Sequence, residues 1–298
     1  MKTGVRISYL ALALVAFIAG IVVQVIAALL MIIPTAIMVV MQAARQGITS
    51  QAKIMQMYAE AVNGNMSITI VITHLLLLLT FGLWYRFGCN RPTLKNVNFK
   101  KVFTPKNLLV MVLVAAGMCF FTNFAMPVAT LVVPENVMAE YEALMESAGF
   151  GESLMPTIAA VLIAPFGEEL IFRGVTFYYA RKAVADLPDR RRAFWIANCM
   201  QALGFGVFHL NLVQGTYAFI MGLALGYLAH RFKSILPAML GHMIINGLSS
   251  FAWAPVAGLL PESYVVYGVC AVVCLAIVFA GLYLGGPAEK QQENIINS

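Results

Sequence analysis

The sequence predicts an all-α protein, a polytopic membrane helix bundle. Of its 298 residues, 61% are hydrophobic and 11% are charged, and the mean hydropathy is +0.85. Soluble domains average about 45–50% apolar and about 25% charged residues. The apolar residues also come in runs of about 20, the length that an α-helix needs to cross the hydrocarbon core. We therefore expect a single integral-membrane domain over residues 1–298.

Hydropathy predicts about eight transmembrane helices. They lie near residues 8–33, 66–86, 107–133, 156–180, 193–211, 214–230, 235–258 and 264–284. The first apolar run extends from Ile7 to Ala44, whereas the core of a cleaved signal peptide has about 7–15 residues. We therefore expect an uncleaved first helix that can bend at Pro34.

The positive charges predict the orientation of the bundle. Lys and Arg accumulate in cytoplasmic loops, and a cytoplasmic N-terminus places 16 of the 19 Lys and Arg on the inner side. Six of these bases fall between Arg86 and Lys106. Both termini are then cytoplasmic. Because the bases are spread over short loops, the formal charge of +6 does not indicate a nucleic-acid partner.

Two polar parts of the chain lie outside these apolar runs. Residues 134–154 hold five glutamates and no base, with Val137, Tyr141 and Leu144 at helical spacing. This pattern predicts an outer amphipathic helix, either a connecting helix or a lid. The polar residues 285–298 predict a disordered tail. The five cysteines form no CxxC pair, so we predict neither a disulfide framework nor a cysteine metal site.

One apolar run contains three charges, at Glu168, Glu169 and Arg173. A charged side chain at the bilayer centre costs about 2.5–3.5 kcal/mol on insertion scales, so these residues require a partner, a water-filled cavity or a function. Helix positions four apart share a face, which pairs Glu169 with Arg173. An ion pair that locks two helices explains those two residues. It leaves Glu168 unexplained.

Two later spans carry polar residues at the same spacing. The fifth holds Phe205-Gly206-Val207-Phe208-His209, and the seventh holds His242-Met243-Ile244-Ile245-Asn246. A carboxylate beside an imidazole can act as a general base toward water. An imidazole and an amide on one helix face, here from His242 and Asn246, can donate to a developing oxyanion. Together with Glu168, these residues predict hydrolysis of an amide bond by an activated water.

Other chemistries use some of the same residues. Two His and a Glu can bind zinc, but the chain has no HExxH signature, so zinc is the less favoured alternative and no cofactor is predicted. A proton or ion relay is a second alternative, although no inverted repeat supports it. Ser249 and Ser250 lie near His242, but the sequence has no GxSxG nucleophile elbow.

The three polar stretches are similar to motifs of a known family. The sequence resembles the CAAX protease and bacteriocin-processing (CPBP, Abi) family of intramembrane glutamic-type proteases, whose motifs are EExxxR, FxxxH and HxxxN/D. They match here at Glu168–Arg173, Phe205–His209 and His242–Asn246, in order, within a catalytic core of about 156–250. The resemblance implies the CPBP intramembrane protease fold.

The resemblance also implies roles for six residues. Glu168 activates water with the help of His209, Glu169 and Arg173 orient the site, and His242 and Asn246 stabilise the oxyanion. Family members are generally regarded as metal-independent.

The implied activity is that of an intramembrane endopeptidase. Its substrate would be a peptide or a membrane protein, cleaved near the bilayer in CAAX-like, peptide-processing or bacteriocin-immunity roles. A bacterial cell membrane is the expected location. The alternative is a non-catalytic immunity or scaffold protein that binds a peptide or a membrane partner.

Several other polar or small residues have structural interpretations. His74, in the second span, is interpreted as a hydrogen-bonded bundle histidine, and His230 as an interfacial one. Asn198 and Gln201 are expected to form interhelical hydrogen bonds or to line a cavity. The small residues at 222 and 226 predict close approach of a neighbouring helix. Counting along the helices places Glu168 and His242 toward the inner half of the membrane but His209 nearer the outer side, so the depth of the cavity stays open.

Overall fold

The computed structural model describes residues 3–89, 99–148 and 154–285. Within these ranges the fold is all-α. The helices are α1 (Thr3–Arg45), α2 (Gln51–Gly64), α3 (Met66–Gly88), α4 (Phe99–Val102), α5 (Pro105–Ala129), α6 (Glu135–Ala148), α7 (Leu154–Ala183), α8 (Arg190–Phe208), α9 (Leu212–Phe232), α10 (Leu236–Phe251), α11 (Trp253–Ala257) and α12 (Tyr264–Gly285). The middle of the predicted basic loop, residues 90–98, and the predicted disordered tail after residue 285 lie outside the described residues.

A helix occupies each of the eight predicted spans. Six of them, α1, α3, α5, α7, α9 and α12, are long and apolar enough to cross a membrane. The other two are α8, whose 19 residues begin with three arginines, and α10, whose 16 residues extend for about 24 Å at 1.5 Å per residue. The predicted polytopic helix bundle is therefore confirmed. Of the eight helices in the predicted spans, α8 is the least apolar and α10 is the shortest.

Two predicted boundaries differ from the structure. The seventh span was expected to reach residue 258, but α10 ends at Phe251. Pro255 explains the break, because a proline in a helix clashes with the carbonyl of the residue four positions earlier, here Phe251. At the other end of the chain, α1 continues through Pro34 to Arg45. Its 43 residues span about 64 Å, roughly twice the hydrocarbon core.

The core forms around α7. On one side α1 and α3 pack against α7, where Leu77, Phe81 and Phe172 are fully buried. On the other side α5 packs along α10 and α12, and Met111 and Leu225 lie in that second cluster. These apolar contacts hold α3, α7, α8 and α10 around a small set of buried polar side chains.

Helices α8 and α9 approach each other closely, as the small residues predicted. A Cβ at Gly222 would lie 3.0 Å from the backbone of Ala202, and one at Gly226 would overlap the amide of Asn198. The buried Asn198 Nδ2 donates to Leu223 O at 3.0 Å, and Gln201 Nε2 donates to Gly222 O at 2.9 Å. The predicted interhelical hydrogen bonds are therefore confirmed.

Arg6, near the start of α1, joins the loop between α7 and α8. Its Nη2 lies 2.8 and 2.6 Å from the two carboxylate oxygens of Asp186. The hydrogen bond from Arg6 lowers the pKa of the exposed Asp186 below its usual value. The N-terminal end of α1 and this loop therefore lie at the same end of the bundle, which agrees with the predicted placement of both on one side of the membrane.

The predicted outer amphipathic helix is α6. Met138 is buried, and Tyr141 packs edge-to-face against Tyr217 of α9 with ring centroids 6.2 Å apart. Its glutamates from Glu135 to Glu146 are exposed, whereas Glu152 lies outside the described residues. The helix therefore rests on the bundle through an apolar and aromatic face.

Candidate active site

The two glutamates of the first motif lie in α7 between two π-helical turns. These turns cover Ala159–Ile163 and Leu170–Thr176. The first ends two residues before Pro165, which has no N–H to donate to the carbonyl of Val161, four residues earlier and within this turn. Turns of this kind are frequent at functional sites. Glu168 and Glu169 end the α-helical segment between them, and both are buried.

Glu169 is held by two side chains. Arg173 Nη1 donates to Glu169 Oε1 at 2.7 Å, which is the ion pair that the spacing predicted. His242 Nδ1, from α10, lies 2.9 Å from the same oxygen. Since an ionised carboxylate only accepts hydrogen bonds, His242 Nδ1 carries the hydrogen. The neutral imidazole of His242 then has its lone pair on Nε2.

Arg173 is enclosed on several sides. Its guanidinium carbon lies 4.4 Å from the ring centroid of Phe205, and a Cβ at Gly222 would lie 3.4 Å from its Nη2. Among the described residues, Nε and Nη2 of Arg173 and Oε2 of Glu169 have no hydrogen-bond partner. Buried polar atoms in folded proteins are nearly always hydrogen-bonded. Unpaired buried polar atoms of this kind are rare in folded proteins and add to the cost of the charged cluster.

Glu168 faces two imidazoles from different helices. Its Oε1 lies 3.2 Å from Nε2 of His74 in α3, and its Oε2 lies 3.7 Å from Nε2 of His242 in α10. His74 also places Nδ1 2.8 Å from the carbonyl oxygen of Ile70. The contacts thus run without interruption from Arg173 through Glu169, His242 and Glu168 to His74.

The sequence pattern does not identify His74 as a site residue. It is hydrogen-bonded within the bundle, as predicted, but its second ring nitrogen contacts Glu168. The contact joins residues 94 positions apart, and no local pattern predicts which helices become neighbours. The available signal was weaker: His74 is the one ionisable residue between Met66 and Tyr85.

His209 lies beside this cluster at the end of α8. It is the residue after Phe208, in a short turn in which Leu210 is left-handed with φ 54° and Asn211 caps α9. The His209 ring packs against Phe205 at 5.1 Å. It is near enough to Glu168 and His242 to interact electrostatically, but no hydrogen bond within the described part of the chain joins it to Glu168. His74 is therefore the imidazole that hydrogen-bonds to Glu168, while His209 interacts with this carboxylate electrostatically.

Close contact between two helix backbones brings His209 to the cluster. A Cβ at Gly206 would lie 2.6 Å from Gly215 O, so α8 and α9 touch directly at this turn. His209, the residue after α8, interacts electrostatically with Glu168 and His242, so the end of α8 lies beside this cluster.

Asn246 lies on the same side of α10 as His242 but has a different partner. Its Nδ2 donates to Ala160 O, in the first π-helical turn, at 2.9 Å. Neither carboxylate hydrogen-bonds to Asn246 among the described residues. The amide retains one further N–H that this contact does not use.

The donor atoms of the site do not form a metal-binding group. Among the described residues, no three or more His, Cys, Asp or Glu side chains are arranged to hold a metal ion. All five cysteines are free. The cluster can instead move protons, because it combines two carboxylates, three imidazoles and one guanidinium.

The comparison with known proteins agrees with the three motifs. Residues 150–248 match the family model described as Rce1-like, type II CAAX prenyl endopeptidase. This part of the chain, which we call the Rce1-like domain, is similar to the CAAX prenyl endopeptidases that the model describes. The domain contains Glu168, Glu169, Arg173, His209, His242 and Asn246, whereas His74 lies outside it. The resemblance that the sequence indicated is thereby confirmed, and the family is one of proteases. No curated protein and no solved structure matches the chain.

Proposed function

We propose that this protein is an intramembrane endopeptidase in which Glu168 activates a water to hydrolyse a peptide bond near the membrane. Two kinds of observation support the proposal. The Rce1-like domain belongs to a protease family, and its motif residues lie together in apolar helices. Apolar surroundings make a charged cluster costly, so its presence indicates a function.

The single observation that carries the proposal is the difference between the two glutamates. Glu169 is neutralised by Arg173 at 2.7 Å. Glu168 forms no ion pair with Lys or Arg in the described ranges and faces the imidazoles of His74 and His242. A carboxylate without a fixed counter-ion, beside groups that can carry protons, is suited to general base catalysis.

One distance in the site supports a role for a bridging water. Glu168 Oε2 and His242 Nε2 are 3.7 Å apart, so one water can lie about 2.8 Å from both atoms. Glu168 Oε2 takes a proton from this water while the water oxygen bonds to the carbonyl carbon of the substrate, and the carbonyl electron pair moves to its oxygen. The C–N bond then breaks, and Glu168 returns the proton to the leaving amine.

The other motif residues support these steps. Glu169 accepts from His242 Nδ1 and fixes the imidazole with Nε2 toward Glu168. His242, when protonated, and the second amide hydrogen of Asn246 are donors for the oxyanion. His209 assists from the turn between α8 and α9. We place the reaction in peptide processing at a bacterial cell membrane, with both termini in the cytoplasm.

A pair of peptides tests the activity and its dependence on a lipid anchor. Both are internally quenched and end in a CAAX sequence, one farnesylated and one not. With the protein in lipid nanodiscs, the wild type should cleave at least the farnesylated peptide. Glu168→Gln should lose about 10²–10⁴-fold in rate, the usual contribution of a general base. The matched control is Glu140→Gln on the exposed face of α6, which should keep full activity.

A proteome comparison covers substrates of other chemistry. New protein termini in membranes that contain wild type, absent with Glu168→Gln, would identify a natural substrate. Full cleavage by Glu168→Gln, or a cellular effect that survives this substitution, would contradict catalysis. The latter result would favour the non-catalytic immunity or scaffold function.

A further inference from the structure

His74 contacts the proposed general base from outside the Rce1-like domain. It lies in α3, and no motif of the family includes it. We infer that His74 is a positioning residue that shares one proton with Glu168 and keeps the second carboxylate oxygen available for water. The inference rests on the proposed function, because it assigns a role toward Glu168.

The hydrogens on the two ring nitrogens of His74 follow from their partners. His74 Nδ1 lies 2.8 Å from Ile70 O, and a carbonyl oxygen only accepts, so Nδ1 carries a hydrogen. In a neutral imidazole Nε2 would then be an acceptor, and an ionised Glu168 Oε1 is an acceptor as well. Two acceptors cannot form the 3.2 Å contact between them. One additional proton therefore lies in this contact, on the imidazole or on the carboxyl.

The backbones of α3 and α7 hold the contact between His74 and Glu168 in place. A Cβ at Gly167, the residue before Glu168, would lie 3.2 Å from Leu77 Cβ and 3.3 Å from His74 O. The backbone of α7 thus packs directly on α3 at this position. Because neither helix can shift without disturbing this packing, the distance from His74 to Glu168 is fixed by the fold.

The two carboxylate oxygens of Glu168 have different partners. Oε1 of Glu168 is occupied by His74, whereas Oε2 faces His242 at 3.7 Å. A proton from water is therefore taken up at Oε2. The His74–Glu168 pair then holds two protons and returns one to the leaving amine. Since His74 acts through Glu168, its replacement should lower kcat and leave KM nearly unchanged.

Other titratable or charged groups also face Glu168 and have to be considered in a pH profile. They are Glu169 and Arg173 of α7, His209 at the end of α8, Tyr217 of α9 and His242 of α10. From α3, His74 faces Glu168. A change in the pH profile that is specific to His74 variants can therefore be recognised by comparison with a variant of a histidine elsewhere in the bundle.

The test uses full-length protein in nanodiscs and the farnesylated quenched peptide. His74→Leu removes both hydrogens, and His74→Gln keeps an amide donor that cannot titrate. His230→Gln is the matched control, because His230 is not part of the cluster. Its ring stacks on Phe194, with the two ring centroids 4.3 Å apart. We expect kcat to fall about 10- to 100-fold in both His74 variants, the loss typical of a charge-assisted hydrogen bond, with KM within about twofold. The pH profile of kcat should lose one ionisation in both but not in the control.

The outcomes separate the inference from the proposed function. A wild-type kcat and pH profile in His74→Leu, with Glu168→Gln inactive, would refute the role of His74 and leave the proposed function intact. Activity of Glu168→Gln would refute the proposed function itself. If His74→Leu does not fold, His74→Gln decides. A folded His74→Gln protein with unchanged kcat and pH profile would show that a hydrogen bond suffices and that no proton is shared.

Discussion

Replacing Arg173 with methionine removes the guanidinium that neutralises Glu169 within α7. Both side chains of the pair are fully buried, and the Nη1 to Oε1 distance is 2.7 Å. Methionine keeps most of the aliphatic stem, so the packing against Phe205 is partly retained. The main loss is the positive charge, and Glu169 remains behind as a buried anion.

The expected cost follows from this burial. Removing one partner of a buried ion pair destabilises a protein by about 3–5 kcal/mol. Loss of the contact between Arg173 and the Phe205 ring, at 4.4 Å, adds up to about 2 kcal/mol for a desolvated pair. The additional substitution Glu169→Gln removes the stranded charge. The double variant should therefore be more stable than Arg173→Met alone, by about 2 kcal/mol or more.

Reversible unfolding in mixed detergent micelles, titrated with SDS, measures these free energies. The control is Arg181→Met, a change in the same helix at an exposed position, with an expected cost of about 1 kcal/mol or less. If Arg173→Met costs no more than this control, Arg173 does not neutralise a buried charge. If the double variant is less stable than the single one, the coupling between Arg173 and Glu169 is refuted.

Three further predictions concern packing, orientation and metal. Gly226→Ala should destabilise the protein and separate α8 from α9, because its Cβ would overlap the Asn198 amide, whereas Gly268→Ala has no heavy atom within 4 Å and should be neutral in the same SDS titration. In a Cys199→Ser background, Asp186→Cys should react with an impermeant maleimide only from the cytoplasmic side and Glu140→Cys only from the opposite side; labelling of both from one side would contradict the orientation. Cleavage of the farnesylated peptide should continue after dialysis against a strong chelator, and loss of activity that zinc restores would contradict hydrolysis by Glu168 alone.

The positions of the spans could be predicted from the sequence because lipid imposes a simple requirement on each one. A membrane helix needs an apolar run of sufficient length. Six of the eight runs correspond to helices that meet this requirement, α1, α3, α5, α7, α9 and α12, and the other two correspond to α8 and α10. The ion pair of Glu169 with Arg173 could also be predicted from the sequence, since it depends on spacing within one helix. The end of α10 was overlooked although Pro255 was visible in the sequence.

The contacts between helices were not predictable in the same way. The sequence indicates His209 as the helper of Glu168, but it does not indicate that His74 of α3 contacts this carboxylate. Which helices become neighbours depends on the packing of small residues such as Gly167 against α3, and hydropathy contains no such information. The π-helical turns of α7 also change the direction of side chains relative to an ideal helix of 3.6 residues per turn.

The contact between α3 and α7 has a consequence for how the Rce1-like domain could be transplanted. A chimaera that carries only residues 150–248 on a foreign membrane scaffold would include both glutamates and the two later histidines. It would lack the imidazole against Glu168 Oε1 and the helix surface on which Gly167 rests. The cluster is thus divided between the Rce1-like segment and the N-terminal half of the chain. The two parts have to be exchanged together for the geometry around Glu168 to survive.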